Sequence, residues 1–333
     1  MPEQQKLYIV RKEYDGFGGA ENVAKRYATL LSEHYDVELI YAGYKKAGYT
    51  FHGKYGPGWC RSLLFAISVS QFLKSQPDSL VFSMARGVAG SIFRAGDGVH
   101  KIWLKRKKTD WIRKYSNLNN WVAPYLERKS IEQSNFVVPN SEMIENEITS
   151  EYPHLSNKKI KVIKNGFDQQ KFNCSDEQIC IKSSMPKVDR KHSPIIFFCA
   201  NGWERKGLEY CIKLISVLKK RGCNANLWIA GKGDTKKFSK IAFQLNVEDR
   251  IHFLGSISNV EKWYQLSELF VLPTSYDPFS NSCLESLACG CPVITTSSNG
   301  ASECVSKSNG MIINTPNELT EDHVIAWILD NIP

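Results

Sequence analysis

Long apolar runs are missing from this chain. The longest, such as Leu63 to Val69, fall far short of the roughly 20 residues that a membrane-spanning helix needs. The opening Met-Pro-Glu-Gln-Gln-Lys holds no secretory hydrophobic core, so a cytosolic location is expected. The ten cysteines form no Cys-x-x-Cys and have no paired histidine spacing, which argues against zinc and against a disulfide framework. Cys199 and Cys211 fall in apolar patterns where a small hydrophobe serves, and Cys289 and Cys291 flank Gly290 where a tight turn needs small residues. All ten are therefore expected to be reduced, with no metal site. No Gly-x-x-x-x-Gly-Lys-Ser/Thr phosphate loop occurs, and no short-period repeat. Gly16 and Gly18 begin a dinucleotide fingerprint, but Glu21 stands where its third glycine belongs, which counts against an NAD-dependent oxidoreductase.

What remains is the composition of a soluble globular protein, 42% hydrophobic and 23% charged, whose 333 residues suit two domains better than one core. The net charge of +9 asks for an acidic partner: phosphates, nucleic acid or an anionic membrane surface. Strand-like and helix-like segments alternate from end to end, which is the signature of α/β layers around parallel sheets. Leu7 to Val10 reads as a first strand. The glycine turn Gly16-Phe17-Gly18-Gly19 follows, and then an amphipathic helix carries Ala20, Val23, Ala24, Tyr27, Leu30 and Leu31 at helical spacing. Further strands are expected at Val37–Tyr41, Leu80–Phe82, Phe136–Val138 and Ile160–Ile163, with a helix over Ser62–Leu73. Periodicity is lost from Asn173 to Ser193, where serines, prolines and charges give a linker composition. It returns with strands at Ile195–Phe198, Leu227–Ile229, Ile251–Leu254, Leu269–Leu272 and Val293–Thr295, and a helix over Leu208–Lys220. The expected organisation is a Rossmann-like domain over 1–172, a linker over 173–193 and a second Rossmann-like domain over 194–333.

Three segments of the second half carry chemistry. Tyr276-Asp277-Pro278-Phe279-Ser280-Asn281-Ser282-Cys283-Leu284-Glu285 lies between a buried strand and a short helix that must end near Gly290 and Pro292. Ser280 or Asn281 would be the N-cap, so a helix N-terminus points at the carboxyl ends of the strands, a setting that binds phosphate. Asp277 and Glu285 flank it as carboxylates able to grip vicinal hydroxyls. Asn201-Gly202-Trp203-Glu204-Arg205-Lys206-Gly207 places two adjacent cations on a strand-to-helix loop, where they would neutralise a diphosphate leaving group. Gly231-Lys232-Gly233 follows another strand. Cations, backbone amides and carboxylates thus converge on one crevice, which favours a nucleotide-diphosphate site.

These segments resemble those of retaining GT-B glycosyltransferases of family 4. That family carries two carboxylates eight positions apart, in a Glu-x-Phe-Gly-x-x-x-x-Glu setting. It also has a Lys-Gly after the first strand of the nucleotide domain, and an Asn-Gly-x-Asp interdomain crossing, here Asn165-Gly166-Phe167-Asp168. The stretch Phe93 to His100, with Trp103-Leu104, is similar to the subgroup that adds glucose to the heptose core of bacterial lipopolysaccharide. The resemblance implies a GT-B α/β fold, two doubly wound domains facing a central cleft, and hexose transfer without a metal or other cofactor from a UDP-linked donor. By it, Glu285 would hold the ribose, Arg205 and Lys206 the diphosphate, and Asp277 the transferred sugar. Phe279, Ser280 and Asn281 would present backbone amides, with Gly231 beside them. Gly18 and Gly19 would close on the phosphates and Asp97 would face the acceptor, a phosphorylated glycolipid. The family's first motif carboxylate is usually Glu, and Asp277 is one methylene shorter. Relatives also carry more C-terminal helix than the segment around Trp327-Ile328-Leu329. A binder of sugar nucleotides without transfer activity is the alternative those departures raise.

Lys101 to Lys114 holds seven cations and one acid, interleaved with Trp103, Leu104, Trp111 and Ile112. A basic segment carrying tryptophan is the composition of an interfacial anchor on anionic lipid. Nucleic acid is not expected as the partner, because no recognition module accompanies the segment. With a glycolipid acceptor implied, the expected location is peripheral, on the cytoplasmic face of the inner membrane.

Overall fold

The computed structural model describes residues 4–13, 19–46, 49–106, 116–155, 159–174 and 193–332. They divide into two compact units, Met1–Asn165 and Gly166–Pro333. In the first unit, the strands and helices in chain order are β1 (Lys6–Val10), α1 (Gly19–Leu31), β2 (Asp36–Ile40), a small hairpin of β3 (Lys45–Lys46) and β4 (Tyr49–Thr50), α2 (Gly58–Lys74), β5 (Leu80–Ser83), β6 (Ile92–Ala95), α3 (His100–Arg106), α4 (Asn119–Gln133), β7 (Phe136–Pro139), α5 (Glu142–Glu151) and β8 (Lys159–Ile160). Six strands form a parallel sheet in the order β2-β1-β5-β6-β7-β8. Successive residues of a strand point to opposite faces, and β1 shows the consequence. Leu7 and Ile9 join one apolar cluster with Ala24 and Met84, while Tyr8 and Val10 join another with Phe65, Val69 and Phe72. Phe65, Val69 and Phe72 recur at i, i+4 and i+7, which puts one stripe of α2 against the sheet.

The second unit contains β9 (Ile195–Cys199), α6 (Trp203–Lys206), α7 (Leu208–Lys220), β10 (Asn226–Ala230), α8 (Thr235–Gln244), β11 (Ile251–Gly255), α9 (Val260–Leu266), β12 (Leu269–Leu272), α10 (Asn281–Ala288), β13 (Val293–Thr296), β14 (Gly310–Ile313) and α11 (Asp322–Asn331). Its parallel sheet runs β11-β10-β9-β12-β13-β14. β9 and β12 are continuous apolar runs because helices cover both of their faces. On α7, Leu208, Cys211, Ile212, Ile215 and Leu218 make the buried stripe. In each sheet the chain lays strands in one direction and then crosses over, between β1 and β5 in the first and between β9 and β12 in the second. The carboxyl ends of such strand pairs are where doubly wound sheets bind ligands.

Three details differ from the sequence-based expectation. β6, β14 and the β3–β4 hairpin were not among the expected strands. The first is only four residues long and carries Arg94, whose buried guanidinium donates to Pro139 O at 3.0 Å and Asn165 Oδ1 at 2.7 Å, so its charge hides the strand pattern. β8 is limited to Lys159–Ile160, although the Lys161 and Ile163 N–H groups still donate to Val137 O and Pro139 O, both at 3.1 Å. The units divide at Asn165/Gly166, earlier than the expected linker: Phe172 is buried in the second core with its ring 6.3 Å from that of Tyr264. Of the expected linker itself, 175–192 lie outside the described residues.

Candidate functional site

The switch point of the second sheet is built from the loops after β9 and β12. β9 ends at Cys199, and the Trp203 indole N–H donates to Ala200 O at 2.9 Å as its ring enters the core. That anchor starts the single turn α6, and Gly207 ends it with φ at 84°. A Cβ at Gly207 would overlap the Pro273 carbonyl, so only glycine lets the two loops approach this closely. Arg205 and Lys206 occupy the last turn of α6 and are thereby delivered onto the loop after β12. The Ser275 N–H donates to Arg205 O at 3.0 Å, the Thr274 and Ser275 hydroxyls donate to the same oxygen at 3.2 Å each, and Arg205 Nη1 donates to Tyr276 O at 2.7 Å.

This stitching places Asp277 against both cations. Lys206 Nζ is ion-paired and hydrogen-bonded to Asp277 Oδ2, and Arg205 Nη1 lies 3.9 Å from the same oxygen. The Asp277 and Lys206 side chains are 9% and 12% exposed, so each charge depends on the other for compensation. The eight-residue α10 follows. Ser280 is its N-cap residue, yet no side chain caps the helix there; the Ser280 hydroxyl meets that of Ser282 at 2.9 Å instead. Gly290, with φ at 75°, follows the C-cap Cys289 as expected. Asn281 opens the helix, Phe279 turns its ring into the core, and Glu285 sits half-buried one turn on. Burial pushes the Cys199 thiol up to about 12, and the negative charge of the Glu285 carboxylate adds to that. Gly231 closes the far side: with φ at 107° its N–H donates to Gly255 O at 2.8 Å, and a Cβ there would overlap Ala200 O. The neighbouring Lys232 N–H donates to Asn201 Oδ1 at 2.8 Å, joining the loops after β9 and β10.

Sequence reasoning passed over Asn299, which holds this loop in place. Its Oδ1 accepts from the Ser280 and Ala301 N–H groups at 3.1 Å each, and its Nδ2 donates to Thr295 Oγ1 at 2.9 Å and Cys283 Sγ at 3.4 Å. All of its bonding capacity is used while it is fully buried. Backbone bonds complete the clasp, Asp277 N to Ser298 O at 3.0 Å and Gly300 N to Asp277 O at 2.9 Å. The available signal was Asn-Gly after an apolar strand, an ordinary turn dipeptide.

The remaining expected residues belong to the first unit. Gly18 lies outside the described residues, and Gly19 is the first residue of α1. Asp97 follows β6, where Arg11 Nη1 donates to its two carboxylate oxygens at 3.3 and 3.4 Å. Partial loss of hydration works to raise Asp97, whose side chain is still 45% exposed, but the Arg11 and Arg86 guanidiniums outweigh it and hold the carboxyl below its usual range. A carboxylate held so firmly ionised is a weak proton acceptor. Arg86 also pairs with the buried Glu127 at 3.1 Å and donates to Gly98 O at 3.0 Å. Glu127 in turn accepts from the His100 N–H at 3.1 Å and the Tyr152 hydroxyl at 3.0 Å, so this network fixes the turn from β6 into α3. Of the basic segment, Lys101 and Lys105 pair with Glu151 at 2.6 and 3.7 Å and Arg106 with Glu147 at 3.3 Å; 107–115 lie outside the described residues. Among the described residues no helix is long and apolar enough to cross a membrane.

Residues 193–329 match the family model described as "Glycosyl transferases group 1". The chain is 29% identical over 214 residues to the "Uncharacterized glycosyltransferase MJ1607" of Methanocaldococcus jannaschii, covering 62% of this chain and 53% of the relative. It spans less than two thirds of the length of the first curated relatives it matches. Among solved structures it is similar to that of WaaG, a glycosyltransferase involved in lipopolysaccharide biosynthesis, with a TM-score of 0.76 at 18% identity over 98% of this chain and 94% of that one. The structure of Anabaena Alr3699/HepE in complex with UDP-glucose matches with a TM-score of 0.65 at 17% identity over 98% and 90%. Likeness at these identities establishes the fold, and the fold is GT-B with two Rossmann-like units.

Proposed function

We propose that the chain is a glycosyltransferase that moves a hexose, glucose from UDP-glucose, onto a glycolipid acceptor of the lipopolysaccharide-core type, with retention at the anomeric carbon. The observation that carries this reading is the Arg205–Lys206–Asp277 cluster beside the uncapped N-terminus of α10, at the switch point of the second sheet. Two adjacent cations and a helix N-terminus offer positive charge where a diphosphate leaves, which supplies the neutralisation without requiring a metal. Glu285, further along α10, suits the ribose hydroxyls. Phe279 and Asn281 would bring backbone toward the phosphates, whereas the expected Ser280 and Gly231 N–H groups are taken by Asn299 Oδ1 and Gly255 O. Asp277 serves the transferred sugar: a diphosphate that draws Lys206 toward itself frees the Asp277 carboxylate for a sugar hydroxyl.

In the proposed reaction the bond from the anomeric carbon to the diphosphate oxygen breaks as the acceptor oxygen bonds to the same face. The acceptor proton passes to a phosphate oxygen of the leaving group. Asp97, held ionised by two guanidiniums, then orients an acceptor hydroxyl rather than removing its proton. The basic segment 101–114 would hold the protein on an anionic inner-membrane surface.

The test is incubation of the purified chain with UDP-glucose and a delipidated lipopolysaccharide core, with the product linkage read by NMR. An α-linked glucoside supports the proposal. Binding of UDP-glucose without transfer to any core acceptor would instead identify an inert binder, and failure to bind any nucleotide sugar in a thermal-shift panel would remove the donor site altogether.

A further inference from the structure

A second cavity, of about 200 Å³, opens at the switch point of the first sheet. Arg11 and Lys12 follow β1, Arg86 follows β5, Asp97 follows β6, and Asn119 and Ser62 come from α4 and α2. The fold therefore repeats in this unit the placement that makes the candidate donor site in the other. Its chemistry is different. Asp97 is taken by Arg11, and Arg86 is taken by Glu127 and the Gly98 carbonyl. Lys12 is matched only weakly: its ammonium donates to the neutral Ser62 hydroxyl at 3.0 Å, and its ion-pair partner Glu13, which also lines the cavity, is 3.7 Å away with a side chain 64% exposed. Burial holds Lys12 below the ordinary lysine range; Glu13 pulls the other way, and the nearby Arg61 and Arg11 charges push it further down. The Arg61 Nε is itself buried without a partner among the described residues. The cavity thus has a positive corner whose counter-charge, Glu13, is exposed and weakly held. It also has an apolar patch, Ala123 and Leu126, against which the C–H face of a sugar ring would lie.

We infer that this cavity binds an acidic sugar, one bearing a phosphate or a carboxylate, with Lys12 gripping the anionic group and Asp97 and Asn119 accepting and donating to ring hydroxyls. This rests on the glycosyl-transfer reading in one respect, that the bound sugar is the acceptor residue or its neighbour. A neutral hexose fills the same volume but leaves Lys12 with only the exposed Glu13 carboxylate, which is the physical basis for selection.

Calorimetry on the whole chain tests the inference, with UDP present to occupy the diphosphate cluster. The probes are glucose 6-phosphate, glucuronic acid and glucose. At least one acidic hexose should bind about tenfold or more tightly than glucose, as expected for one charge-assisted contact, and comparison of the two identifies the anionic group. Lys12→Gln should reduce that preference to the level of glucose, and Lys12→Arg should restore most of it. Equal binding of all three probes, or a preference that survives in Lys12→Gln, would overturn the assignment. A UDP-glucose titration in parallel separates the two readings. A chain that binds UDP-glucose but shows no anion preference leaves glycosyl transfer standing and removes this site. A chain that keeps the preference but binds no nucleotide sugar retains the site and loses the reaction.

Discussion

Lys206 and Asp277 are a nearly buried pair, so removing either partner leaves a charge with little water to solvate it. Asp277→Asn should lower unfolding stability by about 3 kcal/mol, the usual cost of breaking such a pair. UDP should restore part of that loss, because its phosphates give Lys206 a new counter-charge; a melting curve with and without nucleotide reads both effects. Arg205→Ala with Lys206→Ala should cut transfer by at least about 100-fold, since each contact to a developing phosphate charge is worth about 2–4 kcal/mol. Glu285→Gln should mainly weaken donor binding while Asp277→Asn mainly lowers turnover, and the reverse split in titration and kinetics would exchange the ribose and sugar ends. Asp97 gives a pH prediction. Its carboxyl is held below its ordinary value in the folded protein. Its contribution to stability is therefore complete above the unfolded value and is lost as pH falls through the lower folded one. Asp97→Asn should therefore lower stability modestly at neutral pH and flatten the acid limb of the stability curve in that window, the two proteins converging at low pH.

At the scale of elements, the loop from Pro273 to Ser280 is positioned by what surrounds it rather than by its own conformational preference. Asn299 bonds on one side to Ser280 and Ala301 and on the other to Thr295 and Cys283. Asn299→Ala should cost about 2–4 kcal/mol, because it strands several buried groups at once. Asn299→Asp should not rescue it, since a carboxylate supplies no N–H donor for Thr295. If Asn299→Ala melts like the wild type, the clasp does not hold the loop. The sequence announced α10 well: Gly290 and Pro292 mark its end, and Ser280 marks its start. It could not announce Asn299, because Asn-Gly reads as a turn wherever it occurs, and its bonds to Ser280 and Cys283 reach groups that only the folded chain brings near. Gly207 was visible as a glycine, whereas its reason, contact with the Pro273 carbonyl, belongs to β12, far along the chain.

For the molecule as a whole, the proposed attachment to a membrane surface turns on the basic segment. Lys101, Lys105 and Arg106 are paired with Glu151 and Glu147 of α5, but the Lys105 side chain is 71% exposed. An exposed ion pair contributes at most about 1 kcal/mol, and a cation near an anionic bilayer gains roughly the same, so a membrane can compete for these charges. Changing Lys105, Arg106, Lys107 and Lys108 to Ser should abolish low-salt sedimentation with anionic liposomes while leaving transfer to a soluble acceptor nearly intact. Retained sedimentation would show that the anchor lies elsewhere. Loss of soluble-acceptor activity would mean that these cations grip the acceptor itself.

The sequence by itself determined the two α/β halves, nearly every strand of the second, and the convergence of Arg205, Lys206 and Asp277 on strand ends. It could do so because burial on both faces forces apolar runs, and because glycine, proline and paired charges mark loops that follow them. Only the tertiary structure decided that Lys206 and Asp277 pair, that Asn299 clasps their loop, and that Arg11 and Arg86 hold Asp97 ionised. Each of these joins residues that follow different strands of a parallel sheet. Parallel neighbours are separated by a whole crossover, so no local spacing records their meeting.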